Sequence, residues 1–130
     1  MGRLATVRPD GTPHVVPFVF ALVRDGSATR LYWAVDHKPK RSTRLRRIEN
    51  LKVHPEVEVV VDRYEDDWAA LWWVRMRGTG RIVTSAQERR TALTALASKY
   101  PPYRSVHAEG DVVAIEVEAV RWWSAGDDAP

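Results

Sequence analysis

The chain has 130 residues, which fits one folding unit, because a division would leave neither half enough interior to offset its chain entropy. It is 45% hydrophobic and 28% charged, the mixture of an ordinary globule, and its lack of cysteine excludes disulfides, thiolate catalysis and thiolate metal sites. No apolar run approaches the roughly 20 residues of a bilayer span and no secretory leader follows Met1, so a cytoplasmic protein with no membrane partner is expected.

From Leu4 to Val35, short β-prone runs alternate with turn chemistry. Leu4 to Val7, Val15 to Val23 and Leu31 to Val35 are separated by Asp10-Gly11 and Asp25-Gly26, the pattern of consecutive hairpins. Residues Arg41 to Val53 change period, with Leu45, Ile48 and Leu51 on one helical face, and the helix must end before Pro55. Strand signals resume at Val57 to Val61 and run from Leu71 to Val83, where Gly78 and Gly80 predict a bulge or bend. Ser85-Ala86-Gln87-Glu88 has the capping-box form and opens a second helix reaching about Tyr100. The last strand, Val113 to Val120, alternates Val113, Ile115 and Val117 with Ala114, Glu116 and Glu118, so one buried and one wet face are expected. About six strands with two short helices suggest a small antiparallel barrel, closed or half-open, since closure removes vulnerable edges.

The sequence carries no Gly-rich phosphate loop, no His pair at metal spacing and no Gly-x-Ser-x-Gly elbow. His14, His37, His54 and His107 fall on different predicted elements, so no metal site is expected. If the protein is an enzyme, a cofactor carries the hard step. Lys38, Lys40, Arg41, Arg44, Arg46, Arg47 and Lys52 crowd one stretch, although the net charge is only +3. Asp36 to Arg41 joins a predicted strand to a predicted helix, where cations and free first-turn N–H groups can converge on an anion; a solvated basic loop is the plainer alternative. Nucleic acid would also suit such a stretch, but the acidic segments Glu56 to Glu65 and Glu116 to Glu118 argue against an extended basic face. Six tryptophans are too many for packing alone, and core, interface and ligand-stacking roles all suit them. Trp72 and Trp73 must face opposite sides of their strand.

The order Leu4-Ala5-Thr6-Val7-Arg8-Pro9-Asp10-Gly11-Thr12-Pro13-His14-Val15-Val16-Pro17, the basic Asp36 to Arg41 loop, Asn50-Leu51 before Pro55, and Val59-Val60-Val61-Asp62 resembles the pyridoxamine 5′-phosphate oxidase-like split-barrel superfamily. Within it, Asp36-His37-Lys38-Pro39-Lys40, Asp66-Asp67-Trp68 and Trp72-Trp73-Val74-Arg75 look most like an actinobacterial branch that uses the 5-deazaflavin coenzyme called factor 420. The likeness runs from Leu4 to about Trp123, and the order and spacing of the motifs are more specific than any one of them. It implies a six-stranded antiparallel split β-barrel and a cytoplasmic homodimer. It also implies an oxidoreductase passing hydride from reduced factor 420 to a small conjugated or planar acceptor. FMN is the alternative cofactor, and coenzyme binding without turnover is the alternative role.

By the same resemblance, Thr6, Pro13, His14, Val15, Val16 and Pro17 lie along the ring system, with backbone groups reading its pyrimidine edge. The phosphate and acidic tail fall to Lys38, Lys40, Arg41, Arg44 and Arg47, with Asn50 as a neighbour, and Trp68 and Trp72 approach from the second subunit. Family members carry a helix before the first strand, whereas this sequence begins almost inside that strand, as a shortened gene model would.

Overall fold

Alternating apolar and polar residues draw Gly2–Val7 (β1) and Pro13–Phe18 (β2) into an antiparallel hairpin that pairs Leu4 with Val16 and Thr6 with His14. Its turn is pinned by Asp10, whose Oδ1 accepts from the Thr12 backbone N–H at 3.0 Å and hydroxyl at 2.6 Å. A second hairpin, Ala21–Asp25 (β3) with Ala28–Ala34 (β4), turns through Gly26-Ser27. Gly26, at φ 61°, supplies the positive φ that a type II′ turn requires at its first central position. Then come Arg41–Val53 (α1), Glu56–Arg63 (β5), Trp72–Ile82 (β6), Ala86–Lys99 (α2) and Val112–Ser124 (β7). The computed structural model describes residues 1–35, 41–104, 110–126 and 130, with backbone alone for 41–45.

The strands form one antiparallel sheet in the order β2-β1-β5-β6-β7-β4-β3. Its edge strands, β2 and β3, are joined by Val19 and Phe20 alone. Laid flat, such a sheet would hold its edges roughly 29 Å apart at about 4.8 Å per strand. The connection reaches at most about 11 Å, three Cα steps of about 3.8 Å. The sheet therefore curls until its edges meet at that end, as a half-open barrel.

Where the sequence predicts six strands, the structure has seven, because the run from Val15 to Val23 breaks at Val19-Phe20. The cause is the far end of α2. Tyr100 Oη accepts from the Phe20 N–H at 3.4 Å, and Lys99 Nζ donates to the Phe20 carbonyl at 2.8 Å while standing 4.1 Å from the centroid of its ring. Both backbone groups of Phe20 thus leave the ladder satisfied.

The barrel interior is filled by Leu4, Phe18, Leu31, Trp33, Val59 and Ile115 among others, with Ile48 and Leu51 of α1 closing one side. The helices occupy the spans the sequence predicts. Gly80 admits α1, since a Cβ there would stand 2.7 Å from Leu51 Cδ2, and Gly78 marks a bulge where a Cβ would meet the Glu116 carbonyl oxygen at 2.1 Å. On the other side, Ala92 of α2 clusters with Tyr32, Val83, Val112 and Ala114. Val112 to Ile115 are therefore buried on both faces, and the one-wet-face pattern expected of the last strand holds only from Glu116 onward. Ser85 caps α2 by accepting from the Glu88 N–H at 3.2 Å, but the return half of the capping box is replaced by a bond from Arg81 to Glu88. Among the described residues no helix is long and apolar enough to cross a membrane.

Candidate functional site

The last turns of α1 lean on the first hairpin. Asn50 Nδ2 donates to Thr6 Oγ1 at 3.0 Å, with both side chains buried, so these two polar groups lock helix to strand. One turn earlier the Arg47 guanidinium stands 5.7 Å from the centroid of the Trp33 ring, a cation held over a π face. Trp33 is 2% exposed, and its Nε1 is a buried donor without a partner among the described residues. His14 faces Thr6 across the β1–β2 ladder, and its Nδ1 is likewise buried and without a partner among the described residues. Burial, reinforced by the cations Arg8, Arg47 and Arg46, holds His14 below its ordinary value of 6.5 and favours the neutral ring.

Beside these groups runs an open cleft of about 400 Å³, lined by Arg8, Pro9 and Asp10 of the first turn and by Arg46, Glu49 and Asn50 of α1. Its two carboxylates are engaged elsewhere. Asp10 is held below its ordinary range by hydrogen bonds from Thr12, and Glu49 pairs with Lys52 at 3.7 Å. With Arg47 nearby, the arginines outnumber Asp10 and Glu49 here among the described residues. Such a place suits an anion carried on a planar or polar body, and its described residues include no paired acid and base for hydrolytic work.

The ring-lining candidates divide by the strand period. Thr6, His14 and Val16 turn toward the interior, while Pro13, Val15 and Pro17 occupy the opposite face. Six side chains on two faces cannot line one slot, although β2 is an edge strand and so leaves backbone groups unladdered. Of the cationic segment, the structure places Arg47 and Asn50 together. Lys38 and Lys40, and the side chains of Arg41 and Arg44, lie outside the described residues. Trp68 is 78% exposed on a single 3-10 turn whose N-cap is Asp67, and Trp72 is half-buried with its back to Trp73. Trp72 lies five residues along β6 from Arg77, which is level with Ala5 through Glu58, so within one chain it stands about 17 Å along the sheet from the level of Ala5.

Sequence reasoning missed Arg8 and Arg46 as neighbours of His14, and Trp33 as the ring under Arg47. The signal for Arg46 was its place in the basic stretch; the others had none. A second charged group was also missed. On the α2 side Arg81 forks onto Glu88 (2.7 and 3.0 Å) and reaches Glu116 at 2.9 Å, Arg30 holds Glu116 at 2.8 Å, and the Tyr32 hydroxyl donates to Glu88 at 3.0 Å. The Arg81 fork holds Glu88 below the usual carboxylate range; burial alone would raise Glu116, but Arg30 and Arg81 draw it down as well. Tyr32 is pushed up by burial and by Glu88. Each charge here has its complement, so this group braces the sheet.

Comparison with known proteins agrees with this architecture. Over 95% of the chain, the fold matches 76% of a conserved hypothetical protein from Mycobacterium tuberculosis at 21% identity and a TM-score of 0.71. It matches 83% of an FAD-binding protein from Mesorhizobium loti over 93% of the chain, at 24% identity and a TM-score of 0.65. It also matches 48% of a heme-binding protein from Mycobacterium smegmatis over 94% of the chain, at 21% identity and a TM-score of 0.68. At these identities the likeness carries the fold alone. No functionally curated protein shows significant sequence similarity to the chain. A family model described as pyridoxamine 5′-phosphate oxidase matches residues 1–124, and on that match the chain belongs to the pyridoxamine 5′-phosphate oxidase family.

Proposed function

We propose that this protein is a cytoplasmic oxidoreductase of one domain that binds factor 420 at the junction of α1 and the first hairpin and acts as a homodimer. The observation that carries this reading is His14 Nδ1, a buried atom that has no partner among the described residues and stands near Arg8, Arg46 and Arg47, close to an open cleft. A buried polar atom left without a bond costs about 1–3 kcal/mol, and a bound hydrogen-bonding ligand is a ready way to recover it. Arg46, Arg47 and Arg8 would hold the anionic part of the coenzyme, with Lys38, Lys40, Arg41 and Arg44 as further candidates from the sequence. The β2 edge and Val15 would flank the ring. When bound, the coenzyme supplies a hydride for an activated double bond. The chain's part is to orient the ring, exclude water and offer a face where a planar acceptor can stack.

The dimer is supported by apolar surface that packing within one chain leaves uncovered. Trp68, Trp122 and Trp123 are 78%, 50% and 42% exposed. The FAD-binding neighbour favours FMN as a second cofactor reading, and the heme-binding neighbour favours a binding protein without turnover. The test is to supply reduced factor 420, or reduced FMN, with a panel of quinones, enones and biliverdin-like tetrapyrroles and to follow the absorbance of the coenzyme. Oxidation that depends on protein and acceptor supports the oxidoreductase. Tight binding with no turnover on any acceptor supports the binding protein.

A further inference from the structure

β4 is covered on both faces, and its two aromatic residues meet different helices. The strand period turns Leu31, Trp33 and Val35 toward the barrel interior, and Tyr32 and Ala34 toward α2. Trp33 is level with Val113 of β7 and belongs to the same core cluster as Ile48 and Leu51 of α1, so strand and core together hold its ring in place. The Arg47 guanidinium lies 5.7 Å from the centroid of that ring. One turn further along α1, Asn50 donates to Thr6 Oγ1 of β1 at 3.0 Å. Three strands separate β1 from β4 in the sheet order, so these two side chains tie α1 to two different walls of the barrel.

An aromatic ring engages the broad face of a guanidinium and does not take its N–H edge. A carboxylate does the reverse, as Glu88 and Glu116 do where they accept from the edge of Arg81. Contact with Trp33 therefore orients Arg47 without competing for the donors that an oxyanion requires. Trp33 itself is 2% exposed, so its influence on a ligand must pass through a neighbour. We propose that Trp33 is a positioning residue of the site: it sets the plane of the Arg47 guanidinium before the anion arrives. Affinity for the phosphate group of the ligand then rises, because binding has less side-chain freedom left to remove. This inference rests on the reading that Arg47 holds the anionic part of the coenzyme.

The test is a double-mutant cycle on binding at low salt, read by calorimetry with factor 420 and, separately, with inorganic pyrophosphate, which carries charge without a ring. Trp33→Leu should weaken binding of both by about threefold to tenfold, and Trp33→Phe, which keeps a smaller π face, by about two- to threefold. In an Arg47→Ala background neither change should alter affinity further. Val83→Ala, which loosens the core against α2, should lower the thermal midpoint and leave affinity as it was. If Trp33→Leu does not fold, the cycle with Trp33→Phe decides the same question. Equal losses in the wild-type and Arg47→Ala backgrounds would overturn the proposal, since Trp33 would then act through core packing. So would unchanged affinity in the Trp33 variants. If pyrophosphate obeys the cycle while factor 420 binds no form of the protein, the coenzyme reading fails and the positioning role stands.

Discussion

The two helices cover charged groups of opposite character. Against α2, Arg30 and Arg81 meet Glu88, Glu116 and Asp25, and the Tyr32 hydroxyl joins them. Against α1, Arg8, Arg46 and Arg47 stand near a histidine held below its ordinary value, and among the described residues two buried polar atoms lack partners. A cluster that answers its own charges stabilises the fold and has little left to offer a ligand. One whose cations outnumber their carboxylates gives up stability for binding. The difference is one of bookkeeping inside the chain, and it separates the two clusters.

The comparison can be broken most severely on the braced side. Gly78→Ala puts a Cβ where the Glu116 carbonyl oxygen stands, and β6 or β7 must shift. Urea unfolding should show a loss of about 2–4 kcal/mol, and an unchanged midpoint would mean that the bulge is not required. Arg81→Ala should cost less, about 1–2 kcal/mol, because the guanidinium is partly exposed and solvent screens it. It should also alter acid stability. Glu88 and Glu116 titrate below their ordinary value of 4.5, so their stabilisation is complete above pH 4.5 and is lost as pH falls through their native values. The variant should show a shallower loss of stability below pH 4.5 than the wild type.

On the other side, effects on stability should be small and effects on binding large. Arg47→Ala removes the cation over Trp33 and should lower stability by about 0.5–1 kcal/mol in thermal unfolding. His14 sharpens the contrast through pH. Its native value is depressed, so the stability tied to its neutral form is complete above pH 6.5 and is lost as pH falls through that native value. His14→Gln should remove this component, the smallest of the set. A bound anion should raise the His14 value, which NMR titration of the ring protons would report.

Local chemistry was legible in the sequence. The Asp-Gly turns, the period of Ile48 and Leu51, the Ser85 cap and the bulge at Gly78 each depend on residues a few positions apart, and each stands where the pattern put it. What escaped is decided at long range. Phe20 breaks its strand because Lys99 and Tyr100 lie beside it, 79 and 80 residues away in sequence. Val112 and Ala114 look like an ordinary half-wet strand until α2 covers them. At the candidate site, Thr6, His14 and Arg47 were singled out by family resemblance, but their convergence with Arg8 and Trp33 depends on how α1 docks, which no local pattern encodes.

The most direct measurement is equilibrium binding of factor 420 and of FMN to the wild type, Arg47→Ala and Arg81→Ala at low salt. The expected result is tight binding of factor 420 by the wild type, weakened about tenfold or more by Arg47→Ala. Arg81→Ala, tested where it remains folded, should bind as the wild type does. Factor 420 affinity unchanged in Arg47→Ala but lost in Arg81→Ala would reverse the roles of the two clusters and contradict the assignment of the site.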